Sequence, residues 1–260
     1  IQKITFLLHY LIFIRNIVNN PFKKLKIFIL TKYLLQFIIK KRCIQMIYGI
    51  LAAAILLFLL FCYYQNNKID ITEYRIENKN IINDIKVAQL SDMHSKPFYN
   101  AAEKLREIRP DAIMITGDYI NDHGRNKEKM LQLGKELLTI APVFYITGNH
   151  ERRLAYFEDL MQELRKIGFT VLLNDISEEI IGGNSITVLG LDENQADFDD
   201  YKARKNGTFV YKDMKPYFEK LDHCGGFKFV LSHFPENFEY VKENNYAQYD
   251  CFLLHIQNFR

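Results

Sequence analysis

Tryptophan is absent from the 260-residue sequence, and cysteine is scarce, with four residues at Cys43, Cys62, Cys224 and Cys251. No two cysteines stand in a CxxC or other metal-ligand spacing, so they read as free thiols rather than a zinc site or a disulfide framework. The redox compartment stays open. Beyond the apolar N-terminus there is no internal repeat and no low-complexity segment. Strong charge of either sign is also missing, with 34 Lys+Arg against 31 Asp+Glu. A net charge of +3 gives no nucleic-acid footprint, which needs basic residues clustered on one face. What is abundant is Ile, Phe, Tyr, Lys and Asn, a bias that follows from an AT-rich genome and carries no functional information. The 48% hydrophobic content is ample for a core, and the length fits one large domain or two small ones.

Charge is absent altogether from Met46 to Asn67. Within that stretch Ile47–Tyr64 reads IYGILAAAILLFLLFCYY, 18 residues without the polar stripe of a core helix. Roughly 20 such residues span a bilayer as a helix, and Tyr63-Tyr64 suits the interfacial belt. No small-x-small cleavage site follows, so residues 46–66 are expected to be a retained transmembrane anchor rather than a signal peptide. Residues 1–45 are apolar but interrupted by Arg15, Lys23, Lys24, Lys26 and Lys32 into pieces too short to span. The chain starts at Ile1 and its first methionine is Met46, so this segment is either untranslated sequence upstream of the true start or an added hairpin or interfacial segment. Lys40, Lys41 and Arg42 before the anchor favour an N-in orientation at the cell membrane, which places the rest of the chain outside the cytoplasm. Residues 67–84 are expected to form a polar linker, and 85–260 a folded domain.

From Ile85 onward short apolar runs alternate with amphipathic ones. Strands are expected at 85–90, 112–116, 143–146, 185–191 and 227–231, and helices at 99–108, 126–138 and 154–167, the last closed by Gly168. Such alternation indicates an α/β fold with layered sheets.

Four of these strands end in potential metal ligands: Asp92 and His94, then Asp118, then Asn149 and His150, then His233. Strand ends share one edge of such a sheet, so these loops can converge although distant in sequence. Carboxylate, imidazole and amide oxygen together suit Mn, Fe, Zn or similar cations. An Asp between two such clusters can bridge a pair of metals about 3.5–4 Å apart, which would acidify a shared water and clamp a phosphoryl group for in-line attack. Singly, each motif is an ordinary turn or surface feature; their ordered occurrence after apolar strands is what carries the argument.

The sequence resembles the calcineurin-like metallophosphoesterase superfamily, whose pattern runs D-x-H, G-D, G-N-H-E or -D, a lone His after a strand, then G-H-x-H. Here the first four stand as Asp92-Met93-His94, Gly117-Asp118, Gly148-Asn149-His150-Glu151 and Ser232-His233. The words around them look like the bacterial branch that carries an N-terminal anchor or export signal. The resemblance implies a β-sandwich flanked by helices and two divalent metal ions. Asp92 and His94 would bind the first, Asp118 both, and Asn149 and His233 the second. His150 would not bind metal but face a phosphoester substrate, and stabilise the transition state or protonate the leaving oxygen.

At the C-terminus the pattern departs from the family's. Where relatives show D-x-x-x-S-G-H-x-H-G-G, this chain reads Asp250-Cys251-Phe252-Leu253-Leu254-His255-Ile256-Gln257 and ends at Arg260. His255 would be a second-metal ligand, but Gln257 stands where a first-metal His belongs, as truncation, frameshift or divergence would each produce. A weakened first metal and an exposed sheet edge are the expected consequences. Two functions from different classes follow: a phosphohydrolase, favoured for phosphodiesters, or a membrane-bound, catalytically impaired binding protein. The anchor places either near lipid headgroups or cell-envelope polymers.

Overall fold

The structure, a computed structural model, describes residues 21–67, 69, 71–96, 100–192, 206, 208, 213–246 and 249–254. The chain divides into two compact units, residues 1–68 and 69–260.

Among the described residues of the first unit, one helix, α1, runs unbroken over Pro21–Asn67. Pro21 occupies a first-turn position, where its missing N–H costs nothing. Within the helix the only glycine is Gly49, and no further proline interrupts it. The lysines expected to break this region into short pieces therefore do not end the helix, because Lys is itself a good helix former. Its Phe28–Gln65 portion, 38 residues containing an 18-residue window of mean hydropathy 2.5, is long and apolar enough to cross a membrane.

The second unit stacks two four-stranded sheets. The first contains β1 (Val87–Leu90), β2 (Ala112–Thr116), β3 (Val143–Ile146) and β4 (Thr170–Val171), all parallel and in that order. β2 and β3 are buried along their whole length, as strands covered on both faces must be. Helices α2 (Ala101–Ile108), α3 (Lys127–Leu138) and α5 (Phe157–Ile167) connect them, with the short α4 (Asn149–Arg152) following β3. The second sheet contains β5 (Asp175–Ile181), β6 (Asn184–Gly190), β7 (Phe227–Ser232) and β8 (Cys251–Leu254) in that order. β5 and β6 form an antiparallel hairpin, and β7 and β8 continue parallel to β6. Helices α6 (Lys215–Asp222) and α7 (Glu236–Glu243) complete the described elements.

Three apolar clusters show how the layers close. Met114, Phe144 and Ile146 of the first sheet meet Ile186, Val188 and Phe229 of the second. The other face of the first sheet packs Ile113, Ile115 and Tyr145 on Leu105, Leu137 and Leu160 of its helices. The other face of the second packs Leu189 and Val230 on Phe218, Leu221 and Val241. The result is the expected sandwich of two sheets flanked by helices.

Several elements were not anticipated. β5 reads DISEEII and is largely exposed, so its polar sequence resembles a loop; it is held as an edge strand by the hairpin turn at Gly182 and Gly183, with φ of 57° and 80°. The helix expected from Leu154 starts at Phe157, because Leu154 N–H donates to Glu151 O at 3.0 Å and closes α4 first. Residues 78–83 of the expected linker bond to the rest of the second unit. Asn184, fully buried, accepts from Ile82 N at 2.6 Å and Asn83 N at 3.1 Å and donates to Asn83 O at 2.9 Å. Asn78 Nδ2 donates to Asp250 Oδ1 at 2.7 Å.

Candidate metal centre

The ends of β1, β2, β3 and β7 deliver the polar residues, since parallel strands emerge along one edge of each sheet. The backbone there is unusual: Asp92, His94, Ser95 and Asp118 all have positive φ, between 46° and 59°. Non-glycine residues rarely adopt that conformation, and it concentrates at functional sites. A ladder of backbone bonds supports it, with Asp92 N on Gly117 O at 3.2 Å, His94 N on Asp118 O at 2.8 Å and Ser95 N on Tyr119 O at 3.0 Å. Gly117 and Gly148 let the loops touch. A Cβ on Gly117 would lie 2.7 Å from Gly148 N, and one on Gly148 would collide with the Asp118 carboxylate.

Asp118 is the hub. Its side chain is 3% exposed, and its Oδ2 faces three imidazole nitrogens: His233 Nε2 at 3.5 Å, His94 Nε2 at 3.8 Å and His150 Nε2 at 3.8 Å. Asp92 Oδ1 lies 3.4 Å from His94 Nε2, and Asn149 Oδ1 lies 3.2 Å from His233 Nε2. Two triads of ligand atoms share Asp118: Asp92 with His233, and His94 with His150, each within 4.8 Å. The N–O separations of 3.4–3.8 Å around the two carboxylates run from weak, long hydrogen bonds (His94 to Asp92, His233 to Asp118) to beyond hydrogen-bond reach. They are close to the spacing of co-ligands on one cation, roughly 3.0–3.5 Å when each bond is about 2.1 Å. The donor set therefore fits divalent metal ions.

Neighbouring groups fix the orientation of these donors. His233 Nδ1 lies 2.9 Å from Thr116 O and donates to it, so Nε2 is the nitrogen turned to the centre. His150 is held the other way: the Asp122 N–H donates to its Nδ1 at 3.3 Å, which leaves the ring proton on Nε2. Its own N–H donates to Asp118 Oδ1 at 2.9 Å. Ser91 Oγ donates to Asp92 Oδ2.

The electrostatics follow from burial and mutual proximity. Burial pushes the Asp118 carboxyl up, but the hydrogen bond and charge of His233 and the His150 N–H outweigh it, and the net direction is down. Burial pushes His233 down, while Asp118 and the Thr116 carbonyl raise it to about 9. His94 is raised, chiefly by its hydrogen bond to Asp92, against the opposing effect of burial.

Glu151, the last residue of the Gly148-Asn149-His150-Glu151 motif, acquires its role only in the fold. It is fully buried, and its carboxylate accepts from Ile120 N at 2.9 Å, Asp118 N at 3.0 Å and Gly148 N at 3.0 Å. It thereby ties the loop carrying Asp118 to the loop carrying Asn149. Burial, and then the charge of Asp118, raises its pKa to about 7. An acidic residue at the third position of a helix was the available signal, since it can accept the N-cap N–H as half a capping box. Asp122 beside His150 carried no such signal. Of the expected site residues, Asp92, His94, Asp118, Asn149, His150 and His233 lie together at this centre, and His255, with Gln257, lies outside the described residues.

Residues 85–254 match the family model of the calcineurin-like phosphoesterases, and the chain belongs to that family. Two curated relatives are similar to it, both described as uncharacterized metallophosphoesterases. One, from Aquifex aeolicus, is 28% identical over 166 residues, covering 59% of this chain and 61% of its own length. The other, from Helicobacter pylori, is 26% identical over 168 residues, covering 62% of this chain and 42% of its own. The chain thus spans less than two thirds of either relative. A solved structure of a phosphopantetheinyl hydrolase from Mycobacterium tuberculosis matches with a TM-score of 0.45 at 13% identity, over 67% of this chain and 84% of that one.

Proposed function

We propose that this protein hydrolyses phosphoesters, with phosphodiesters preferred, at a centre of two divalent metal ions. The observation that carries the reading is the nearly buried Asp118 carboxylate faced by three imidazole Nε2 atoms at 3.5–3.8 Å. Asp92 and His94 would hold one ion and Asn149 and His233 the other, with Asp118 reaching both. Bound there, the ions would supply Lewis acidity toward a phosphoryl oxygen and a more acidic water.

The chain's own residues would do the rest. His233, fixed by the Thr116 carbonyl, would present Nε2 without having to reorient. His150, with its Nδ1 accepting from Asp122 N–H, presents an Nε2–H that can donate to the leaving oxygen. Glu151 keeps the two ligand loops in register through three backbone N–H groups. In this reading the apolar part of α1 anchors the protein in the cell membrane, the catalytic unit faces away from the cytoplasm, and lipid or envelope phosphodiesters are its substrates.

The test uses the full chain in detergent with bis(p-nitrophenyl) phosphate and p-nitrophenyl phosphate, with Mn²⁺ and with EDTA. Mn²⁺-dependent turnover favouring the diester, with two metals per chain by elemental analysis, is the expected result. No turnover with Mn²⁺, Fe²⁺ or Zn²⁺, and no more than one metal per chain, would leave the impaired binding protein as the better reading.

A further inference from the structure

α4 places Asn149 and His150 at the centre with two consecutive residues, and its last residue, Arg152, points elsewhere. Arg152 Nε donates to Asp192 Oδ1 at 2.9 Å, and its Nη2 donates to Asp192 Oδ2. This is the two-pronged geometry in which a guanidinium and a carboxylate fix one another in angle as well as distance. The Asp192 side chain is 2% exposed and the Arg152 side chain 16%. Thr147 Oγ1 donates to Asp192 Oδ1 at 2.5 Å, and Asp192 N donates to Asn174 Oδ1 at 2.9 Å. The Arg152 guanidinium also stacks on the Phe157 ring, 4.1 Å from its centroid.

The pair bridges the two sheets. Arg152 and Thr147 belong to the segment that leaves β3 in the first sheet, while Asp192 lies two residues beyond β6 in the second. Glu151 already binds α4 to the Asp118 loop, but that contact lies wholly within the first sheet's edge. His233, in contrast, leaves β7, the neighbour of β6 in the second sheet. The Asn149–His233 half of the centre is therefore assembled across a gap between sheets, which no backbone ladder spans. Nothing about the ligand motifs themselves requires an arginine or a distal aspartate.

We propose that Arg152 and Asp192 are positioning residues for the metal centre. Their buried ion pair sets the orientation of α4 relative to the second sheet, and hence where Asn149 and His150 stand opposite His233. The proposal rests on the metallophosphoesterase reading. Neither residue is a metal ligand in that reading, so their effect must appear as altered geometry of the ligands themselves.

The expected effect is a 10- to 100-fold loss of metal affinity, about the range for outer partners of metal ligands. The experiment is calorimetric Mn²⁺ titration of the full chain carrying Arg152→Lys, Asp192→Asn or both, with kcat and KM measured alongside. Lys keeps the charge but loses the fork, so Arg152→Lys is expected to weaken one Mn²⁺ site about 10-fold and to lower kcat more than it changes KM. The double variant is expected to be no worse than the weaker single one, because both remove the same pair. Leu137→Ala, a buried truncation on α3, controls for general loss of stability. Equal Mn²⁺ affinity in parent and variants overturns the positioning role while leaving the hydrolase reading intact. So does a loss that Leu137→Ala reproduces at a matched fall in thermal midpoint. A parent chain that binds no Mn²⁺ overturns both. If Arg152→Lys and Asp192→Asn do not fold, Thr147→Val, which removes one hydrogen bond from Asp192, is read in the same way.

Discussion

Replacing Glu151 with Gln separates the structural work of this buried carboxylate from its charge. The side chain is fully buried and its pKa stands at about 7, against an ordinary value of 4.5. The folded protein therefore holds this proton more tightly than the unfolded chain does. Stability from the protonated group is complete below about 4.5 and is lost as pH rises through about 7. At about 1.4 kcal/mol per pH unit, the total is about 3 kcal/mol. Gln has nothing to titrate, but its amide can accept with only one oxygen. In its better orientation it keeps the Asp118 and Gly148 N–H bonds and turns its NH₂ against Ile120 N–H. Two buried groups then lack partners, at a cost of roughly 2–6 kcal/mol. Glu151→Gln is thus expected to be less stable than the parent by about that amount at pH 5, and the difference should shrink by about 3 kcal/mol by pH 8. For a unit of this size that is a convergence of thermal midpoints by about 6–12 °C. The assay is thermal unfolding in EDTA at several pH values. His233, whose raised pKa of about 9 makes stability fall at higher pH, is present in both proteins and cancels in the difference. A midpoint difference that stays constant from pH 5 to 8 would refute the reasoning, because Glu151 would then carry the same charge throughout.

Two further outcomes follow from packing. Gly148→Ala forces a methyl group into the Asp118 carboxylate and backbone, so it should cost about 1–3 kcal/mol of stability and reduce bound metal; elemental analysis and melting together check this. Asn184→Ala removes the acceptor for Ile82 and Asn83 N–H and should cost about 2–4 kcal/mol, with faster limited proteolysis between residues 78 and 84 as the readout.

The site was more legible in the sequence than the fold around it. Asp92, His94, Asp118, Asn149, His150 and His233 each follow an apolar run, and residue type plus position after a strand is local information. β2 and β3 were read at their observed bounds because strands buried on both faces are continuously apolar. β5, with exposed acidic residues, and β4, only two residues long, carry no such signature and exist because a neighbouring strand supplies their hydrogen bonds. The length of α1 was missed for a related reason: lysines mark the limits of a hydrophobic run, but a helix ends only where its backbone hydrogen bonding does.

The sequence alone determined which chemical groups are available and the order in which strands deliver them, because those properties belong to single residues and their immediate neighbours. Tertiary structure decided which nitrogen of His233 and of His150 faces the centre, that Glu151 joins two ligand loops, and that Arg152 finds Asp192 in the other sheet. Each of these depends on contacts between residues far apart in the chain, and the chain's linear order does not encode the distances between them.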